Sequence, residues 1–344
     1  MRSGESELMA FGAYIFGCKG QYPDREELGF FADADPFGFI LFSRNVESPG
    51  QIRRLACELR EAVGRNAPIL IDQEGGRVQR LRPPYWREWP PPLEQSEGLS
   101  ADAAARAMWI RYRRISDELR DCGINANCVP MADIATEDTH PIIRNRCYAY
   151  DAARVSRLAQ AAADGTASGS VLPVLKHIPG HGRPSGDSHV ELPTTAATLE
   201  ELESADFRPF SDLADLPLGM TAHVVYESID RDRPATQSPR VIEIVRERIG
   251  FAGLLMTDDI SMSALAGSIE ERCEASLSAG CDLVLHCNGD LNEMKSVAHS
   301  SGALAESAQE KAQCAIDAVS SPCQSLDAAE LDAEFDLILR TKSN

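Results

Sequence analysis

Residues 171–193 read VLPVLKHIPGHGRPSGDSHVELP. Five apolar residues, Val171 to Leu175, predict a short buried strand that opens directly into Lys176, His177 and a loop loosened by glycines. A rigid strand followed by a polar loop is the arrangement in which loops carry chemistry. The same alternation recurs along the chain. Apolar, often β-branched runs lie at Ala13–Cys18, Gly38–Phe42, Pro68–Ile71, Asn125–Met131, Val171–Leu175, Gly219–Val225, Gly253–Met256 and Asp282–Cys287. Between them lie stretches of helical period. Pro49 to Val63 puts Ile52, Leu55, Ala56, Leu59 and Val63 on one stripe, and Pro239 to Ile249 does likewise with Val241, Ile244, Val245 and Ile249. Ser238 is placed to cap the second of these, with Pro239 at its first position. Ala101–Leu119 and Asp151–Ala163 are alanine-rich and amphipathic, and Pro83–Pro92 reads as a proline-rich surface loop.

Eight βα units without an internal linker predict one (β/α)8 TIM-type barrel over residues 1–344, with 300–344 as a C-terminal helical segment packed on it. A doubly wound open sheet is the alternative. A barrel gathers its catalytic groups at the C-terminal ends of several strands. Polar residues follow the runs accordingly: Asp72 and Glu74 after the third, Asp133 after the fourth, Lys176 and His177 after the fifth, His223 after the sixth, Asp258 and Asp259 after the seventh, Asn288 after the eighth.

The chain has 344 residues, 43% hydrophobic and 25% charged, with a formal net charge of −19. That charge argues against a nucleic-acid partner, which needs clustered Lys and Arg. Ten cysteines without a CxxC pair or a framework spacing point to a reducing, cytoplasmic setting. No stretch reaches the roughly 20 apolar residues of a membrane span, and the acidic N-terminal stretch does not resemble a signal peptide.

Three constellations carry chemistry. Asp187-Ser188-His189 places a carboxylate where it can orient an imidazole for proton transfer near neutral pH; an Asx turn beside an exposed histidine is the plainer reading. Asp258 follows its strand directly and is the better placed of the Asp258-Asp259 pair to attack an electrophile, while Asp259 is expected to cap the following helix. Asp72 and Arg80, around the paired glycines Gly75-Gly76, could grip vicinal hydroxyls of a polar ligand or form a salt-bridged turn. Arg146 alone is more commonly a surface or bridging arginine. The His-x-His of a first barrel strand, expected in metallohydrolases of this fold, is absent, so no metal and no cofactor are expected.

ILFSRN (40–45), IDQEGGRVQRL (71–81), PIIRNR (141–146), KHIPGHG with DSH and LP behind it (176–193), MTAHVVY (220–226) and PATQSPRVIEIVRERIGFAGLLMTDDISM (234–262) together resemble the β-N-acetylhexosaminidases of glycoside hydrolase family 3, particularly the single-domain NagZ type. By that resemblance Asp258 is the nucleophile of a retaining double displacement, His189 the general acid/base and Asp187 its dyad partner. Asp72, Arg80, Arg146, Lys176 and His177 hold the N-acetylglucosamine unit. The implied reaction is exo-cleavage of the β-1,4 bond between N-acetylglucosamine and (anhydro-)N-acetylmuramic acid by a monomer acting on small muropeptide or amino-sugar substrates. A phosphorylase on the same fold and a non-catalytic sugar-binding barrel are the alternatives. The sequence departs from the family pattern at Arg183-Pro184, at Cys147-Tyr148-Ala149 and in the polar fourth run, Asn125-Ala126-Asn127.

Overall fold

The computed structural model describes residues 11–184, 192–320, 323 and 325–342. Eight parallel strands close on themselves: β1 (Gly12–Gly17), β2 (Pro36–Leu41), β3 (Ile69–Ile71), β4 (Ala126–Asn127), β5 (Leu172–Ile178), β6 (Leu218–Thr221), β7 (Leu254–Asp259) and β8 (Leu283–His286). Closure comes from β1, which pairs with β2 on one side and with β8 on the other, Tyr14 opposite Val284. Each strand coincides with one of the eight apolar runs. Both faces of each strand are covered, which is why these runs are continuously apolar instead of alternating.

Alternate residues divide between two cores. Ala13, Ile15, Ile40, Leu70, Val174, Met220, Met256 and Leu285 fill the barrel, whereas Tyr14, Phe16, Phe39, Leu41 and Ile71 face the helices. The ring of helices is α1 (Arg25–Ala34), α2 (Pro49–Val63), α3 (Ala101–Asp121), α4 (Ala152–Ser168), α5 (Arg208–Asp212), α6 (Pro239–Glu247), α7 (Ile269–Ala279) and α8 (Leu291–Ser301), one after each strand. Their starts follow local chemistry. Ser48, Ser100, Asp151 and Ser238 each accept a first-turn N–H, and Pro49 and Pro239 occupy the first helical position.

Two longer helices follow the eighth unit. α9 (Glu306–Ser320) seals the N-terminal end of the barrel, where Leu304, Ala308, Ala312, Ala315 and Ile316 join the interior core. α10 (Ala328–Leu339) packs on α3, with Phe335 edge-on to Trp89 at 5.6 Å and Asp332 bonded to Arg114 Nε at 3.0 Å. The proline-rich insert is a surface loop as expected, with Pro83, Pro84, Tyr85, Glu88 and Pro90 exposed, but two buried indoles anchor it. Trp86 and Trp89 are buried; Phe335 meets the Trp89 ring edge-on and the Arg87 guanidinium lies over the same ring. The polar fourth strand has a structural reason. Asn125 Oδ1 accepts Ile69 N at 2.7 Å and Asn127 accepts Gln73 N while donating to Gln73 O, so side chains extend the β3–β4 pairing.

Candidate active site

The strand ends meet at the C-terminal mouth of the barrel around a cavity of about 160 Å³. Asp72, Arg80, Arg146, Lys176, His177 and Asp258 all line it. The side chain of Lys176, on β5, is 2% exposed, and its ammonium lies 2.8 Å from Asp72 Oδ1 and 2.6 Å from Glu74 Oε1. Arg146 holds the same Glu74 in a bidentate pair, Nε to Oε2 at 2.9 Å and Nη2 to Oε1 at 2.8 Å. Arg80 Nη2 meets Asp72 Oδ2 at 2.9 Å. Arg146 is therefore a buried cation with a fixed partner, not a surface residue, and Glu74 is the carboxylate that ties β3 to β5.

Electrostatics follow the geometry. Burial alone would raise the carboxyl of Asp72, but Lys176 and Arg80 outweigh it and hold it far below the usual carboxylate range. Glu74 is drawn down to about 2, burial again being overcome by Arg146 and Lys176. In Lys176 the loss of solvation works against the ammonium, yet Asp72 and Glu74 push its pKa up. The cluster is ionised throughout and preorganised: three cations and two carboxylates fix one another before any ligand arrives.

Asp258 is the penultimate residue of β7 and lines the cavity. Burial would raise its pKa; the His223 and His177 rings, the Asp259 N–H at 2.8 Å and the Lys176 charge reverse this and leave it below its ordinary value. It is the ionised carboxylate that a nucleophile must be. Asp259 does not cap a helix as expected. Its Oδ1 accepts Ser261 N at 3.1 Å and Cys287 N at 3.2 Å, fastening β7 to the end of β8, and the next helix starts at Ile269 under a Ser268 cap.

The histidines divide by partner. His177 Nδ1 donates to Asp133 Oδ2 at 2.8 Å, and its Nε2 faces Arg146 Nη2 at 3.4 Å. His223 Nε2 donates to the Asp259 carbonyl at 3.1 Å, and its Nδ1 lies 2.8 Å from Thr236 Oγ1; burial lowers its pKa. Asp187 and His189 lie outside the described residues. The chain enters their segment from a tightly held root. Tyr226 Oη donates to Gly180 O, Asp133 Oδ1 accepts His181 N, Thr139 Oγ1 donates to Gly182 O, and Arg183 Nε meets Asp206 Oδ2 at 2.7 Å. Among the described residues no cluster of three or more His, Cys, Asp or Glu is arranged to hold a metal ion.

Comparison with known proteins gives this pocket a context. A family model described as the glycosyl hydrolase family 3 N terminal domain matches residues 23–318. The chain belongs to glycosyl hydrolase family 3. Its family 3 relatives include a beta-hexosaminidase of Chromobacterium violaceum, 38% identical over 258 residues, 73% of this chain and 71% of that protein. Another, from Bordetella pertussis, is 39% identical over 265 residues and covers 74% of each. Among solved family 3 structures, NagZ from Neisseria gonorrhoeae in complex with N-trifluoroacetyl-D-glucosamine superposes with a TM-score of 0.84 at 30% identity, over 97% of this chain and 99% of that one. Within family 3 the chain is a glycoside hydrolase of the β-N-acetylhexosaminidase, NagZ-type group.

Sequence reasoning gave no role to Glu74 or Asp133, although both follow barrel runs, because only the fold shows that Glu74 faces Lys176 and Arg146 and that Asp133 faces His177. The apolar wall of Phe42, Val78, Ile143, Met220 and Met262 was also missed. Of these, only Phe42 had a legible signal, as the residue directly after the second strand.

Proposed function

We propose that this family 3 enzyme is a retaining exo-β-N-acetylglucosaminidase that cleaves the β-1,4 bond between N-acetylglucosamine and (anhydro-)N-acetylmuramic acid in fragments of peptidoglycan turnover. The observation that carries the proposal is Asp258, an ionised carboxylate at the end of β7 facing the Asp72–Lys176–Glu74–Arg146 cluster across one cavity. The cluster offers fixed donors and acceptors to the hydroxyls and acetamido group of a sugar, which leaves Asp258 to meet the anomeric carbon. That a NagZ of the same fold is seen with N-trifluoroacetyl-D-glucosamine supports the choice of sugar.

In the first step Asp258 forms a bond to C1 as the C1–O bond to the leaving sugar breaks, and His189 gives its proton to the departing oxygen. In the second step His189, now neutral, takes a proton from water, whose oxygen displaces Asp258 with a second inversion. Asp187 orients His189. A histidine in place of the usual second carboxylate serves both steps because its ordinary pKa lies near neutrality. Asp72, Arg80, Arg146, Lys176 and His177 hold the sugar. The whole chain acts as one catalytic unit, as a cytoplasmic monomer.

Product analysis with the disaccharide N-acetylglucosaminyl-β-1,4-anhydro-N-acetylmuramic acid tests this. Free N-acetylglucosamine, released first as the β-anomer and unchanged by added phosphate, is the expected result. A sugar 1-phosphate that appears only with phosphate would make the enzyme a phosphorylase, and the α-anomer would exclude double displacement.

A further inference from the structure

His181 is buried to 1% exposure in the wall of the cavity, its ring edge-on to His177 at 5.7 Å between centroids. Its backbone N–H is taken by Asp133 Oδ1, yet among the described residues neither Nδ1 nor Nε2 has a hydrogen-bond partner, and both are shielded from solvent. The two neighbouring histidines differ: His177 and His223 have both ring nitrogens within reach of polar partners. Buried polar atoms without partners are uncommon in folded proteins and each requires a reason. Here the reason lies in the position, since the ring forms part of a pocket built for a polar ligand.

We propose that His181 is a further sugar-binding residue, whose missing hydrogen bond is completed by a hydroxyl or the acetamido group of the N-acetylglucosaminyl unit. This rests on the proposed function above. Burial, and after it the adjacent His177, lowers the His181 pKa to about 4, so the ring is neutral at working pH. A neutral imidazole presents one donor and one acceptor, which suits an uncharged sugar and gives a phosphate no countercharge. The glycine that follows fixes the ring's place in the wall: a Cβ at Gly182 would collide with the Ile134 carbonyl, so the backbone at 181–182 sits hard against the β4 loop.

The test is His181→Phe, which keeps a flat ring and removes both nitrogens. Calorimetric titration with N-acetylglucosamine should show binding weakened about tenfold, the effect of one neutral hydrogen bond. Ligand-free Tm should stay level or rise, because two unmet polar atoms are gone. His181→Gln, which restores a donor and an acceptor, should recover part of the affinity. Equal affinity in wild type and His181→Phe would overturn the assignment, as would a lowered Tm with unchanged affinity, or a folded Gln variant that binds no better than Phe. Failure of the wild type to bind N-acetylglucosamine would instead remove the proposed sugar, and this assignment with it.

Discussion

Lys176 puts one ammonium between two carboxylates, and Glu74 in turn answers two cations. Neutralising Glu74 leaves Arg146 without its bidentate acceptor in a largely buried site. Breaking a buried pair from one side costs about 3–5 kcal/mol. Glu74→Gln should therefore lower stability by that order in chemical denaturation and raise KM for a chromogenic N-acetylglucosaminide; unchanged values of both would contradict the clamp. The pH dependence has a definite sign. Asp72 and Glu74 have folded pKa values below their unfolded ones, so their contribution is complete above the ordinary carboxylate range and is lost as pH falls from about 4.5 toward 2. Acid unfolding of the wild type should be steep in that window, and Glu74→Gln should flatten it. At this scale Asp72, Lys176, His177 and Asp258 were legible as pocket residues because each comes within two positions of the end of an apolar run. Glu74 lies two residues further on, after Asp72 and Gln73, and only the fold shows which way its carboxylate turns.

The turn after β3 and helix α3 explain one another. Arg111 on α3 is fully buried and donates to the Glu74 carbonyl, to Pro90 O and to Gln95 Oε1, with no carboxylate in those bonds. Gly75 has φ +100, and a Cβ there would collide with the Arg111 guanidinium. Gly75 thus serves close approach of a cation to the backbone that aims Glu74, while a Cβ at Gly76 would meet Pro91, purposes the motif alone did not disclose. Gly75→Ala combines a left-handed backbone with that clash and should cost about 2–4 kcal/mol in thermal or denaturant unfolding. Near the other end of α3, Glu118 faces the α10 contact, and burial raises its pKa to about 7 despite Arg87 N–H and Arg114. A carboxyl raised in the folded state favours the protonated form. Its contribution is complete below the unfolded value near 4.5 and is lost as pH rises to about 7. Glu118→Gln should therefore melt above wild type at pH 8, with the gap closing toward pH 5. A constant gap would contradict a titrating Glu118. No sequence pattern flags Glu118, since its burial depends on a helix more than 200 residues away.

Across the whole molecule the two ends of the barrel do different work. Small residues Ala308, Ala312 and Ala315 let α9 close the floor against the barrel interior, while the charged cluster and Asp258 occupy the mouth. Ala312→Leu should overpack the floor and cost about 1–3 kcal/mol in stability, with KM for an N-acetylglucosaminide unchanged because the mouth is untouched. The barrel itself was legible from eight apolar runs, since a strand covered on both faces leaves an unbroken apolar record. That α9 closes the floor was not legible, because its alanines look alike in any helix. The central claim is that Asp258 bonds to the sugar. On the proposed mechanism His189→Ala should slow the water step more than the first step when the leaving group departs unaided, so with an activated N-acetylglucosaminide an intermediate should accumulate. Mass spectrometry of the quenched variant should find one N-acetylglucosaminyl unit on the peptide that contains Asp258. Turnover with no adduct at any time, or an adduct on another residue, would contradict the account.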